Sequence, residues 1–284
     1  MKQIIGELQG HSKPILFYQQ DKQNIDLLIS AAEDEKIIIW DLQKNSILYQ
    51  KQCENGIPSA IAINYPFYAL SYKKDGKTRI ENAKEQKDSI ILTRNMREVF
   101  FLEFYKDKFI IIGSHDLNIS IWDYDKQIIV KAIKVEPIQD LLLNIYQPEQ
   151  LIHISYAGII KFINLVKNKV ENSFMVRGAY EIQLSQDKLF KIVTSMGPPS
   201  KFVLLNNKNK ILRIYFQRIP SSNLIFSKIN NDIYFKKLNL LCKLDIKTWQ
   251  ETILFNLSPD EYIDILRQGE LLITKLEKLI RIKV

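Results

Sequence analysis

Ile37-Ile38-Ile39-Trp40-Asp41 and Ile119-Ser120-Ile121-Trp122-Asp123 are two copies of one signature, an apolar stretch closed by Trp-Asp. Weaker copies fall on the same beat at Ile80-Glu81, Ile163-Asn164, Leu205-Asn206, Leu244-Asp245 and Ile282-Lys283. The steps run 40, 42, 41, 42, 39 and 38 residues, so the 284-residue chain reads as one unit counted seven times. A fixed period of about 40–45 residues with a Trp-Asp strand end is the spacing of a propeller blade.

Within each unit four short apolar strands alternate with polar turns. In the first unit they are expected at Ile15–Tyr18, Asp26–Ser30, Lys36–Trp40 and Ser46–Lys51. In the third they are expected at Val99–Phe104, Phe109–Gly113, Ile119–Trp122 and Ile128–Ile133. Runs such as Phe109-Ile110-Ile111-Ile112 do not alternate with polar residues, and a strand apolar on both sides must be covered on both sides. The seventh unit supplies only Tyr262–Leu266, Leu271–Leu276 and Leu279–Val284, whereas Gln3–Leu8 precedes the first unit and belongs to none of its strands. Pairing that segment with the last unit completes a seventh sheet and protects its edges. The expected fold is all-β, a seven-bladed propeller of four-stranded antiparallel blades closed by the N-terminal strand, in one domain spanning 1–284. One local signal competes. Ser258-Pro259-Asp260-Glu261 is a good helix start, with a capping residue, a first-turn proline and a glutamate after it. Strand is still expected after it, because context overrides local propensity.

The bulk numbers exclude several classes. With 46% hydrophobic residues and no apolar run near the roughly 18 residues of a membrane span, a soluble chain is expected. The start, Met1-Lys2-Gln3-Ile4-Ile5, opens neither a signal core nor a transit helix. Cys53 and Cys242 are isolated, as expected for reduced thiols in a cytoplasmic or nuclear protein that is not secreted. Net charge is +8, which permits acidic partners without demanding them. The sequence is also rich in Ile, Lys and Asn, a bias that itself inflates lysine.

The first unit has Gly10-His11, then Ser30-Ala31-Ala32-Glu33-Asp34, then Trp40-Asp41; the third has Gly113-Ser114-His115-Asp116, then Trp122-Asp123. On these residues the chain resembles the WD40-repeat proteins over its whole length. The resemblance implies a hydrogen-bonded tetrad of loop His, strand Ser/Thr, turn Asp and strand Trp. Here it would draw on His11, Asp34 and Trp40, with Ala32 where the hydroxyl belongs, and on Ser114, Asp116 and Trp122, with Asn95 where the His belongs. In the fourth unit Ser155 survives, while Ala157 and Ile163 replace Asp and Trp. The resemblance also implies a partner rim where the residue before the turn Asp points outward, at Glu33, His115 and Tyr156.

Catalysis is not expected. His11, Ser30 and Asp34 carry the residue types of a hydrolase triad, but no Gly-x-Ser-x-Gly elbow accompanies them. His115 and His153 stand apart from any His/Cys/carboxylate cluster at metal-ligand spacing, and no phosphate-cradling glycine loop occurs. Neither catalytic residue, metal nor cofactor is assigned. Asn118-Ile119-Ser120 matches a glycosylation sequon inside an expected buried strand. Links between units add Arg94, Arg97, Arg177, Tyr180 and Arg218 to the rim, residue types that dominate interface energies and that suit an acidic peptide or surface. The opposite hairpins carry Lys44, Lys84, Lys87, Lys126, Lys167, Lys208 and Lys210. The expected function is a non-catalytic interaction scaffold within a multiprotein complex, cytoplasmic, nuclear or cytoskeleton-associated. The alternative is an RNA- or ribonucleoprotein-associated propeller using the lysine rim, although no aromatic stacking strand of the RRM type is visible.

Overall fold

The computed structural model describes residues 3–85, 89–93, 98–143, 147, 149–185, 187, 189–195, 201–216, 224–226, 232–258, 260–266 and 270–283. Its regular elements are all strands. They are β1 (Gln3–Gln9), β2 (Ile15–Gln20), β3 (Leu27–Ala32), β4 (Lys36–Asp41), β5 (Ser46–Gln52), β6 (Pro58–Asn64), β7 (Phe67–Tyr72), β8 (Thr78–Asn82) and β9 (Ile90–Leu92). Next come β10 (Val99–Tyr105), β11 (Phe109–Ser114), β12 (Asn118–Asp123), β13 (Ile128–Lys134), β14 (Ile138–Leu143), β15 (Gln150–Ser155), β16 (Ile159–Asn164), β17 (Lys169–Met175), β18 (Ala179–Leu184) and β19 (Phe190–Ser195). The last are β20 (Lys201–Asn206), β21 (Ile211–Phe216), β22 (Leu224–Phe226), β23 (Ile233–Lys237), β24 (Leu240–Leu244), β25 (Glu251–Asn256), β26 (Glu261–Ile265), β27 (Leu271–Lys275) and β28 (Lys278–Lys283).

Six antiparallel four-stranded sheets run in chain order, β2–β5 through β22–β25, and the seventh is ordered β1-β28-β27-β26. The fold class is that of an all-β, seven-bladed propeller whose first strand is the fourth strand of the last blade. The competing helix start at Ser258 yields to strand β26. Glu261 still acts as a cap, its Oε2 accepting the Ser258 amide at 2.8 Å, but the chain extends from there; Pro259 lies outside the described residues.

Two compact units can be distinguished, Gly6–Pro137 with Lys275–Ile280, and Ile138–Thr274 with Met1–Ile5 and Arg281–Val284. In both, the middle strands are buried on two sides. In the first unit, Ile29, Ile37 and Ile39 pack with Ile61, Ile63, Tyr68 and Leu70 of the next sheet. In the second unit, the sheet β18–β21 shows both faces. Val193, Val203 and Leu205 pack against Ile152, Ile160 and Phe162, whereas their immediate neighbours Ile192, Phe202 and Leu204 pack against Ile233, Phe235 and Leu244. Because successive side chains point to opposite faces, an unbroken apolar strand serves two interfaces at once. The fourth strands are far more exposed: β17 is exposed at five consecutive residues, and β13 alternates, exposed at Ile128, Val130, Ala132 and Lys134 and half-buried between them.

The Trp-Asp beat has a physical cause at each third-to-fourth-strand hairpin. The Asx side chain that ends the third strand accepts amides of the turn: Asp41 from Lys44 at 3.0 Å, Asp123 from Lys126 at 3.1 Å, Asn164 from Lys167 at 2.8 Å and Asp245 from Lys247 at 2.7 Å. A left-handed residue closes the turn, at Asn45, Gln127, Asn168, Asn209 and Trp249, and a bulge follows in the register. Asp41 pairs with Ser46, Asp123 with Ile128 and Asn164 with Lys169, so these are four-residue hairpin loops built around a tight turn, with the bulge in the strand beyond. The second unit corrects the beat by one residue. Its cap is Asn82, whose Oδ1 accepts the Lys84 amide at 2.8 Å. Glu81 stands at the tryptophan position, pairing with Tyr68 as Trp40 pairs with Leu28. It takes a hydrogen bond from the Tyr68 hydroxyl and an ion pair from Lys51 at 2.6 Å.

Asn206 tests the role of these caps, since its Oδ1 accepts two amides, Lys208 at 3.0 Å and Lys210 at 2.9 Å. Asn206→Ala is expected to lower stability in urea denaturation by about 1–2 kcal/mol, and Asn206→Asp to restore most of it.

Candidate functional site

His11, Ser30, Asp34 and Trp40 form a connected network. His11 Nδ1 lies 3.1 Å from both Asp34 carboxylate oxygens, and His11 Nε2 lies 2.8 Å from Ser30 Oγ. Trp40 donates its indole N–H to the same Ser30 Oγ at 2.8 Å. The expected gap at Ala32 is therefore filled. Ser30 sits two residues earlier on the same face of β3, and two-residue alternation makes either position able to supply the hydroxyl. Asp34 also accepts the Ser12 amide at 2.9 Å and the Lys36 amide at 3.1 Å, pinning the link before β2 to the turn after β3. Burial lowers the His11 pKa more than Asp34 raises it, so the imidazole is held neutral. The Asp34 carboxyl stays below its ordinary value; burial opposes ionisation, but the Ser12 amide and His11 outweigh it.

The distances resemble a Ser-His-Asp triad, but Ser30 is 0% exposed and its oxygen is occupied by Trp40. A nucleophile must reach its substrate, and this hydroxyl meets none. Among the described residues the third sheet shows separate bonds instead. Ser114 donates to Asp116, while Trp122 turns to Ser120 within its own strand at 3.0 Å; Asn95 lies outside the described residues.

The rim residues take different stations. In the Gly6–Pro137 unit, Glu33 and His115 are exposed in the turns after β3 and β11, and their amides donate to Pro14 O at 2.9 Å and Glu98 O at 3.1 Å. The His115 ring contacts Phe100 with centroids 4.9 Å apart, and Lys73 pairs with Glu98 at 2.9 Å. In the Ile138–Thr274 unit, Tyr156 is 62% exposed in the turn after β15. Arg177 is exposed in the link before β18, its carbonyl accepting the Ser195 hydroxyl at 2.8 Å. Tyr180 lies not in the link but within β18, half-buried. Arg94, Arg97 and Arg218 lie outside the described residues, as does Lys87 of the opposite hairpins. Of those hairpin lysines, Lys44, Lys84, Lys126, Lys167, Lys208 and Lys210 are exposed. Lys44 and Lys167 pair loosely with Asp41 at 3.5 Å and Glu171 at 3.8 Å.

Sequence reading misses the repeated device at the start of the first strand of five sheets. The first residue is buried (Ile15, Pro58, Val99, Ile138, Ala179), and the ladder then slips at Leu16, Ser59, Phe100, Gln139 and Tyr180. A bulge re-aims the side chain it carries. Leu16 is 43% and Phe17 38% exposed although both read as core. The only signal in the sequence is positional, the second residue of each first strand.

Immediately after two of these bulges stand Asp140 and Glu181. Burial, with Glu181 nearby, pushes the Asp140 carboxyl up to about 7. Burial, with Asp264 nearby, does the same to Glu181, against a hydrogen bond from Gln183. Among the described residues no group of three His, Cys, Asp or Glu is placed to hold a metal ion, and no helix is long and apolar enough to cross a membrane. No protein-family model matches the chain, and no curated protein does either.

Two outcomes follow. Ser30→Ala strips a partner from both His11 and Trp40 and is expected to cost about 2–3 kcal/mol, against about 1 kcal/mol for Ser120→Ala, both read by urea denaturation. Asp140 and Glu181 keep their protons up to about pH 7 when folded, whereas unfolded carboxyls release theirs near pH 4. The folded state then binds the extra protons, so stability falls as pH rises between about 4 and 7. Asp140→Asn is expected to raise Tm by about 2–4 °C at about pH 8 and to leave it nearly unchanged at about pH 4.

Proposed function

We propose that this protein is a non-catalytic, WD40-type interaction module that holds protein partners on the sheet ends bearing the second-to-third-strand turns and the links between sheets. The observation that carries the reading is the five-fold bulge. At that end it turns out Leu16, Ser59 and Phe100 in one unit, and Gln139 and Tyr180 in the other. Three of the five, Leu16, Phe100 and Tyr180, are aliphatic or aromatic side chains left at least partly exposed, residue types suited to an interface core, and placement on strands keeps them preorganised. In the Gly6–Pro137 unit Glu33 and His115 add polar and aromatic groups at this end of the sheets, and in the Ile138–Thr274 unit Tyr156 and Arg177 do the same. The tetrad network fits the same reading, because His11 and Asp34 spend their bonding on fixing a link to a turn. Residence in a complex belongs to this proposal and rests on the same argument; residence in the cytoplasm is proposed from the two free thiols, Cys53 and Cys242.

Cross-linking mass spectrometry on the natively purified complex tests it. Partner cross-links are expected at Lys13, Lys73 and Lys74, on the turn-and-link end, rather than at Lys126 or Lys167 in the opposite hairpins. A Leu16→Asp, Phe100→Glu double variant is expected to lower partner recovery about tenfold while the melting temperature stays within about 2 °C, a shift worth about 1 kcal/mol. Links concentrated on the hairpin lysines, with RNA co-purifying in a salt-sensitive way, would favour the ribonucleoprotein reading instead.

A further inference from the structure

The chain's basic excess sits in one place. Residues 188–230 hold eight Lys or Arg and no Asp or Glu, so the remaining sequence carries 32 residues of each sign and the whole +8 belongs to this stretch. Its best-described part is the hairpin from β20 into β21. There Asn206 Oδ1 accepts the amides of Lys208 and Lys210. Lys191 reaches under the turn to Asn207 O at 2.9 Å and Asn209 Oδ1 at 2.6 Å. These bonds hold the hairpin in one conformation and leave the Lys208 and Lys210 side chains exposed.

β21 is the outer strand of its sheet, ordered β18-β19-β20-β21. Over Ile211-Leu212-Arg213-Ile214 all four residues are exposed, the aliphatic ones at 54%, 47% and 39%. An exposed apolar edge invites pairing, and proteins normally blunt it with charge. Four other outer strands are blunted in this way, and the uncharged β9 is only three residues long, Ile90–Leu92. β5 carries Lys51 on Glu81, β13 carries Lys131 and Lys134, β17 carries Lys169 and Glu171, and β25 carries Glu251 on Lys237. On β21 the lone charge is Arg213, whose guanidinium lies 4.4 Å from the centroid of the Trp249 ring. Stacking fixes the guanidinium plane and leaves its in-plane N–H fork for a carboxylate. Leu212 is the bulge residue, and from Arg213 onward the ladder is regular, Arg213 pairing with Leu204 and Ile214 with Val203.

We infer that β21 is a docking edge for an extended acidic segment of a partner protein, which adds a fifth strand to its sheet and sets carboxylates against Lys208, Lys210 and Arg213. The inference rests on the interaction-module reading but names a different surface and a definite partner chemistry. A strand edge offers alternating N–H and C=O groups, which a peptide uses and a lipid headgroup does not. Three aliphatic side chains amid the cations favour a peptide with aliphatic residues on one face over a phosphate backbone, which would leave them against charge. The nearby aromatic face, Trp249, is already covered by Arg213, which removes it as a base-stacking platform.

The test uses the full chain and fluorescence anisotropy with two labelled peptides of about six repeats, Val-Asp and Val-Lys, a length that spans an ordinary strand and its flanks. The Val-Asp peptide is expected to bind about tenfold or more tighter than its Val-Lys twin. Arg213→Glu and Ile214→Asp should each weaken it about tenfold, and Lys126→Glu should leave it unchanged. Arg213→Gln, a milder change at an exposed site, should fall between. Equal affinity for the two peptides, or Val-Asp binding indifferent to Arg213→Glu, overturns the inference. So does binding of phosphatidylserine vesicles or poly(U) that depends on Arg213 while the Val-Asp peptide does not bind. Loss of Val-Asp binding alone, with recovery of partners through Leu16 and Phe100 intact, rejects this edge and spares the broader reading.

Discussion

Two-sided burial of the middle strands is the constraint from which the rest of this structure follows. A sheet whose consecutive residues are all apolar has no face to give to water, so it is stable only between two others. Ile192 and Val193 show this at the level of single residues, adjacent in sequence and buried in different clusters. Repetition is the economical answer, since each copy supplies a neighbour to the next. The first strand then matters out of proportion to its length. β28 holds Leu279, Ile280 and Ile282 at 5% exposure or less, and it is an interior strand because β1 lies beside it. Lys278 reaches across to Glu7 at 3.1 Å, and the Leu276 carbonyl accepts the Ile15 amide at 2.9 Å, so the last turn is also tied to the start of the first full sheet.

Polar side chains set the positions that apolar burial leaves undetermined. Hydrophobic contact is non-directional and does not fix how a turn or a link sits. The Asx caps fix the hairpins at one sheet end. At the other, Asp34 holds a link against a turn through Ser12 and His11. Between sheets, Gln19 accepts the Ile63 amide at 2.9 Å, Asp21 accepts the Tyr65 amide at 2.8 Å, and Lys22 meets Glu103 at 2.6 Å. The bulges at Leu16 and Phe100 are affordable in such a frame, because the buried residue ahead of each anchors the strand before the ladder slips.

The repeat count, the strand order and the completing role of Gln3–Leu8, seen as β1 over Gln3–Gln9, were legible because they rest on periodicity, which survives substitution. What was not legible depended on register within a strand. The second unit reads one residue early because Glu81, with its own bonds to Lys51 and Tyr68, imitates the closing acid while Asn82 does the capping. Ser30 was passed over for Ala32 because two positions on one strand face differ by only one alternation. Ile15-Leu16-Phe17 reads as continuous core, and nothing in its composition reveals that a bulge exposes its second half. The edge at Ile211–Ile214 is hidden for a related reason: exposure of an aliphatic residue depends on whether a neighbour lies beside its strand, and composition carries no record of that.

Hydrogen exchange at β28 tests the central claim most directly. If β1 completes the last sheet, the amides of Leu279, Ile280 and Ile282 are protected to the same degree as those of Ile37, Ile38 and Ile39 in β4, an interior strand of a complete sheet, and far more than those of the outer strand β13. Exchange at β28 as fast as at β13 would contradict the pairing.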